Sequence, residues 1–207
     1  GHQVANVNSM DVFFADYLVE QLPPVRRWGM EYYTGALAWC TNGYALRVVT
    51  SQPDTTIQIN GSGILVTNGG GWHETVVLGP AQITADKPVY VAQYAPSADF
   101  NGNTNTDPFM VTVPSLPTWS AGSTFCTPSS GFVSNFVTMV TLATASATLK
   151  VDGTAPAAFS ASINGSGYVS ATMAVAPGVH TVTCSQPVGV IVYGFGDRKS
   201  TRLNSSH

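Results

Sequence analysis

Pro88-Val89-Tyr90-Val91-Ala92-Gln93-Tyr94-Ala95 returns near the end of the chain as Pro187-Val188-Gly189-Val190-Ile191-Val192-Tyr193-Gly194. From Ile83–Ala95 onto Val182–Gly194 the register needs no gap. Working outward, Asp11-Val12-Phe13 answers Asp107-Pro108-Phe109, and Leu22-Pro23 answers Leu116-Pro117. Tyr32-Tyr33-Thr34 answers Phe125-Cys126-Thr127, Val48-Val49-Thr50 answers Met139-Val140-Thr141, and Ile57 to Gly61 answers Leu149 to Gly153. A supersecondary unit written twice in the same order points to an array that presents surface, and away from one unique active site. Ile59-Asn60-Gly61-Ser62-Gly63 also recurs verbatim as Ile163 to Gly167, but out of this register, and reads as two similar turns.

The repeated segments read as strands. Leu149 and Val151 share one face of an alternating run while Lys150 and Asp152 share the other. Asn60-Gly61 and Asp152-Gly153 are the pairs that tight hairpins demand, because both turn residues take positive φ. Val188–Tyr193 is apolar on both faces, which predicts a central, covered strand; its counterpart at 89–94 carries Gln93 and predicts a wetter one. No stretch sustains a helical i, i+3, i+4 pattern. The expected fold is therefore all-β, with two tandem related β-sandwich-like units from an internal duplication. Residues 1–10 read as the remnant of a preceding repeat, 11–98 as unit 1, 99–106 as a polar connector and 107–196 as unit 2. Seven extra residues between Gly153 and Val182 lengthen a hairpin or loop of unit 2.

Asp197 to His207 reads as the translation of a sequencing adapter and is set apart from the native sequence. Charged residues are only 9% of the chain, against roughly 25% in ordinary domains. Without 197–207 the 8 basic and 11 acidic residues become five and ten, and the net charge moves from −3 to −5. So few cations cannot line a phosphate-binding groove, which argues against nucleic acid. No apolar run reaches the ~18 residues of a membrane-spanning helix.

The segment Leu22-Pro23-Pro24-Val25-Arg26-Arg27-Trp28-Gly29-Met30-Glu31-Tyr32 resembles the opening of the IgGFc-binding protein N-terminal domain family. Ile83 to Tyr94 and the terminal Val192-Tyr193-Gly194-Phe195-Gly196 carry the same resemblance, which spans Asp11 to Gly196. It implies an extracellular or cell-surface, non-catalytic module of a larger surface or secreted protein. The implied partners are a protein or glycan ligand on a surface, in mucus or in matrix, and neighbouring domains of the same polypeptide. It supplies no catalytic residues and does not carry immunoglobulin Fc binding onto this chain.

The remaining candidates for chemistry are sparse. Asp99-Phe100-Asn101-Gly102-Asn103-Thr104-Asn105-Thr106-Asp107 places oxygen donors at alternate positions, as calcium favours, but its glycine is misplaced and no bidentate Glu follows. The same residues make an ordinary connector. His73-Glu74 lacks the second histidine of a zinc-protease helix, and His2 and His180 stand alone. Serines lie in turns with no neighbouring base, so nucleophilic catalysis has no support. No cofactor, metal site or catalytic residue is assigned. Asn60-Gly61-Ser62 and Asn164-Gly165-Ser166 match the N-glycosylation pattern but read first as turns. Of three cysteines, Cys126 and Cys184 fall in one unit and are a candidate pair; three small semi-buried thiols, with Cys40, is the plainer reading. Trp28 and Trp119, at repeated positions, read as packing residues, whereas Trp72, after Asn68-Gly69-Gly70-Gly71, has no double and is the candidate exposed anchor. The function this suggests is a non-catalytic extracellular binding or adhesion module, with a structural spacer and a polysaccharide-active enzyme as alternatives.

Overall fold

In a computed structural model, residues 2–4, 16–18, 20–102 and 106–196 are described. The strands are β1 (His2–Val4), β2 (Asp16–Leu18), β3 (Gly29–Thr34), β4 (Tyr44–Thr50), β5 (Thr55–Ile59), β6 (Ser62–Val66), β7 (Trp72–Val77) and β8 (Ala81–Ala95). They continue as β9 (Phe109–Thr112), β10 (Ser120–Thr127), β11 (Ser134–Leu142), β12 (Lys150–Val151), β13 (Tyr168–Val175) and β14 (Gly178–Phe195). A single helical turn, α1 (Ala98–Asn101), and short 3-10 turns complete the chain, which is all-β with every ladder antiparallel.

Two long strands organise it. The first part of β8 pairs with β3 and β5, and β5 with β6. Beyond Asp86-Lys87-Pro88 the same strand pairs with β4 on one edge and β9 on the other, and β4 pairs with β7. β14 repeats the plan. Its first part pairs with β10 and β12, and beyond Pro187 it pairs with β11, which pairs with β13. A proline, having no N–H to give a ladder, suits the point where a strand changes partners. Register shifts fall at matching places, between Gly29 and Glu31 and between Ser120 and Gly122. This shared pairing pattern is compatible with the internal duplication read from the sequence.

Each long strand thus holds two layers together. Phe125, Leu149, Val151 and Val182 from one layer meet Val137, Met139 and Val188 from the other. In the first half Tyr32, Ile57, Ile59 and Ile83 meet Leu46, Val48, Val89 and Val91. Each such side chain contributes about 1.5–3 kcal/mol on burial. The first core continues through Leu37, Cys40 and Phe109 to Phe136, Ile191, Tyr193 and Phe195 of the second half.

The turns follow their residues. Asn60 and Gly61 take φ of 48° and 84°, and Asp152 and Gly153 take 50° and 79°. Both close hairpins, Ile59 to Ser62 and Val151 to Thr154. The out-of-register copy at Asn164-Gly165 has the same turn conformation but sits in a 3-10 turn, not between paired strands. The residues of the second-half insertion replace β6 with a loop whose Ile163 packs on Val140 and whose Asn164 Nδ2 donates to Gln82 Oε1 of the first half at 2.8 Å.

Two expectations are reversed. Val188–Phe195 is covered on both faces, yet past Val188 it has a strand neighbour on one edge alone among the described residues. The central strand is instead Val89–Ala95, buried at every position. Gln93 is fully buried there; its Nε2 donates to the Gly35 carbonyl at 3.0 Å, while its Oε1 has no hydrogen-bond partner among the described residues.

Candidate functional site

Strand alternation turns Ala45, Arg47 and Val49 of β4 away from the first core, to a face where Ala45, Tyr90, Ala92 and Tyr94 form a second buried cluster with Leu18, and pairing aligns them with residues of β7 and β8. This face is built of rows. Trp72, Val49 and Tyr90 form one, Glu74, Arg47 and Ala92 the next, and Val76, Ala45 and Tyr94 a third. Leu18, Trp28, Phe100 and Met110 pack around its margin.

At its centre Arg47 is held by three side chains. Its Nε and Nη2 donate to Glu74 Oε2 at 2.9 and 2.5 Å, and Nη1 donates to the Tyr94 hydroxyl at 3.2 Å. Its guanidinium carbon lies 5.0 Å from the Trp72 ring centre and 4.8 Å from that of Tyr94, within cation–π range. The Glu74 side chain is 2% exposed, and its Oε1 is buried without a hydrogen-bond partner among the described residues. Burying a carboxylate is tolerable only against a fixed cation, so Glu74 fixes Arg47 and Arg47 braces Trp72. Trp72 itself is 48% exposed. Tyr90 donates or accepts with Thr112 Oγ1 at 2.9 Å, and burial pushes its phenol up to about 12.

The sequence singled out Trp72 but missed Arg47, Glu74, Tyr90 and Tyr94. A lone Arg in the apolar run Tyr44–Val49 was the available signal. His73 and Glu74, adjacent on β7, point to opposite faces; His73 lines a shallow groove with Asn60, Ser62 and Thr75. Trp28 and Trp119 are counterparts. Each follows a 3-10 turn, and each indole donates to a carbonyl five residues back, Pro23 at 2.9 Å and Pro114 at 3.1 Å. Pro23 therefore answers Pro114 rather than Pro117. Trp39, at φ 62°, stacks on Phe195 at 5.2 Å and meets Phe136 edge-on, sealing the two halves together.

His180 is not isolated. Its Nδ1 lies 2.6 Å from Asp152 Oδ2 and its Nε2 2.7 Å from the Ala176 carbonyl. Burial lowers the imidazole's pKa, but the hydrogen bonds to Asp152 and Ala176 outweigh it and hold the pKa above its ordinary value. Asp152 is held below its ordinary value, first by His180 and then by the Thr181 N–H. Thr127 Oγ1 lies 3.5 Å from Nε2, which completes the residue types of a nucleophilic triad. The hydroxyl, however, donates to the Ala176 carbonyl at 2.7 Å, and a carbonyl can only accept, so Nε2 carries a proton there too. Among the described residues no base faces the hydroxyl, and the group is a clip across the end of the β10–β14 ladder. The repeat was the signal for it. Asn60 Oδ1 accepts from Gln82 N as Asp152 Oδ1 accepts from Thr181 N.

The three cysteines are free. Cys40 is buried, which pushes its thiol up to about 12, Cys126 is exposed and Cys184 half-buried. Of the candidate calcium loop, 103–105 lie outside the described residues, and Asn101 Oδ1 accepts from Asn42 N at 3.0 Å. Among the described residues no group of three or more His, Cys, Asp or Glu is placed to hold a metal ion. Residues 1, 5–15, 19 and 197–207, which include most of the 1–10 segment read as a preceding repeat and all of the adapter, also lie outside them.

The family model described as IgGFc binding protein matches residues 1–194. The chain belongs to that family. Members are binding domains, which agrees with a face that leaves Trp72 exposed beside the Arg47 guanidinium. A search of curated proteins finds no match. Among solved structures, the apo form of a Pleurotus ostreatus lectin is 12% identical, over 80% of this chain and 73% of that chain, with a TM-score of 0.21. That overlap is too loose to bear on fold or ligand. Among the described residues no helix is long and apolar enough to cross a membrane.

Proposed function

We propose that the chain is a non-catalytic, extracellular binding or adhesion module that engages a protein or glycan through the exposed Trp72 end of the face formed by β4, β7 and β8. Its repeat units are taken as 11–98 and 107–196, with 99–106 as connector, and β9 of the second unit completes the sheet of the first. The observation that carries the reading is Trp72, nearly half exposed yet held by Arg47, which Glu74 in turn holds from beneath. An aromatic ring ordered before binding loses little entropy when a ligand arrives, and Trp and Arg are the residues that anchor interfaces. The flat indole and the guanidinium offer an apolar plate beside the N–H groups that Glu74 and Tyr94 do not take, suited to a sugar face or to an apolar side chain next to a carboxylate. A glycan and mucin array tests this. Saturable binding that Trp72→Ala abolishes supports it; binding unchanged by that substitution, or no binding by either protein, overturns it.

A spacer reading has one observation in its favour, since the matching face of the second half is spent on holding the first half, through Thr172 and Tyr193. The same array separates the two, because a spacer binds nothing saturably. Surface or secreted placement follows from the same reading and is tested by locating the full-length protein with an antibody on intact cells.

A further inference from the structure

The two long strands differ along one edge. In β8 the Val91 carbonyl accepts from Val113 N, so Val91, Gln93 and Ala95 turn their backbone groups toward β9 and the residues between them toward β4. In β14 the Phe195 carbonyl accepts from Val133 N, so the odd-numbered residues turn toward β11. Val190, Val192 and Gly194 therefore turn their N–H and C=O groups the other way, in the same register as Val91, Gln93 and Ala95. No strand pairs with them among the described residues. Unpaired backbone groups beside apolar side chains are a template for another strand.

The core beneath that edge is also unsealed. Phe109, Val111 and Val113 close the first core beside Val91 and Ala95, and all five are at most 5% exposed. At the matching edge of the second core, Val190 and Val192 stay half-buried. Near the start of the chain β1 pairs antiparallel with β2. By the repeat alignment, residues 1–10 match the end of β8, and Asp11-Val12-Phe13 matches the start of β9.

We propose that the open edge of β14, through Val190, Val192 and Gly194, accepts an antiparallel β9-type strand from another copy of this repeat. The incoming strand carries the pattern Phe109-Met110-Val111-Thr112-Val113, its Phe opposite Gly194 and its first Val opposite Val192, as Phe109 and Val111 stand opposite Ala95 and Gln93. Its Phe and Val side chains cover Val190 and Val192, and its backbone completes the ladder. Copies so joined form a head-to-tail array, each lending one strand to the copy before it.

A labelled peptide of residues 106–118, titrated with the full chain and followed by fluorescence anisotropy, tests this. Saturable binding is expected. Val192→Pro removes one N–H from the open edge and none from the β11 ladder, and should weaken binding about tenfold or more while circular dichroism shows the fold kept. A peptide N-methylated at Val111, which loses its own edge donor, should weaken likewise against the unaltered chain. Absence of saturable binding by the unaltered pair overturns the proposal. So does binding that the N-methyl group leaves unchanged, and so does a folded Val192→Pro chain that binds like the parent, which would place the peptide on β8.

Discussion

The same sheet face is used in opposite ways by the two halves of the molecule. In the second half, Phe136 and Thr138 of β11 lie under the loop 35–39 of the first, and Val140 packs with Tyr33. The Tyr193 hydroxyl accepts from Ala38 N at 2.7 Å, Thr172 Oγ1 donates to the Ala36 carbonyl at 3.1 Å, and Trp39 covers Phe136. In the first half the corresponding positions are Ala45, Arg47 and Val49, with Tyr94 in the place of Tyr193 and Trp72 standing open. A small neutral Thr138 admits a backbone to close approach; a Cβ on Gly35 would come within 2.3 Å of its Cγ2. Arg47 instead fills that space and needs a carboxylate beside it. One substitution pattern on one scaffold thus separates a face that docks from a face that presents.

Trp39→Ala should break the comparison most. It removes the ring between Phe136 and Phe195 and should cost about 3–4 kcal/mol, read as a lowered midpoint in chemical denaturation. Glu74→Ala comes next, because it strands the Arg47 cation on a partly covered face, at about 3 kcal/mol by the same measurement. Replacing both residues with apolar ones, Arg47→Leu with Glu74→Leu, should recover much of that loss, since no charge is then left unpaired.

The His180–Asp152 clip gives a smaller effect with a definite sign. The His180 pKa is raised by folding, so its contribution is complete below the unfolded imidazole value, about 6.5, and is lost as pH rises through the raised value. The Asp152 pKa is lowered, so its contribution holds above the unfolded carboxyl value, about 3.9, and is lost as pH falls through the lowered one. Thermal midpoints should therefore be highest at mildly acidic pH and fall toward either side, and Asp152→Asn should flatten the profile. Smallest of all, Trp72→Ala should change stability by no more than about 0.5 kcal/mol, because the ring is nearly half exposed. A larger loss in the same melt would mean that Trp72 serves the fold, and the contrast between the two faces would narrow.

How much could be read in advance divides along physical lines. The hairpin turns at Asn60-Gly61 and Asp152-Gly153 were legible because positive φ is a local demand. The packing roles of Trp28 and Trp119 were legible because the same position recurs, and Trp72 stood out because it does not. The Arg47–Glu74 pair and the His180–Asp152 clip were not legible, for their partners lie 27 and 28 positions apart and meet only when strands align.

The sequence alone determined an all-β chain, the repeated order of its segments and the chemistry of its tight turns, since these rest on side-chain alternation and backbone preference within a few residues. Only the tertiary structure decided that Val89–Ala95 is the central strand and Val188–Phe195 an edge. Apolar character on both faces tells how a strand is covered above and below. It carries no record of which neighbours meet its hydrogen-bonding edges, because those neighbours come from distant parts of the chain.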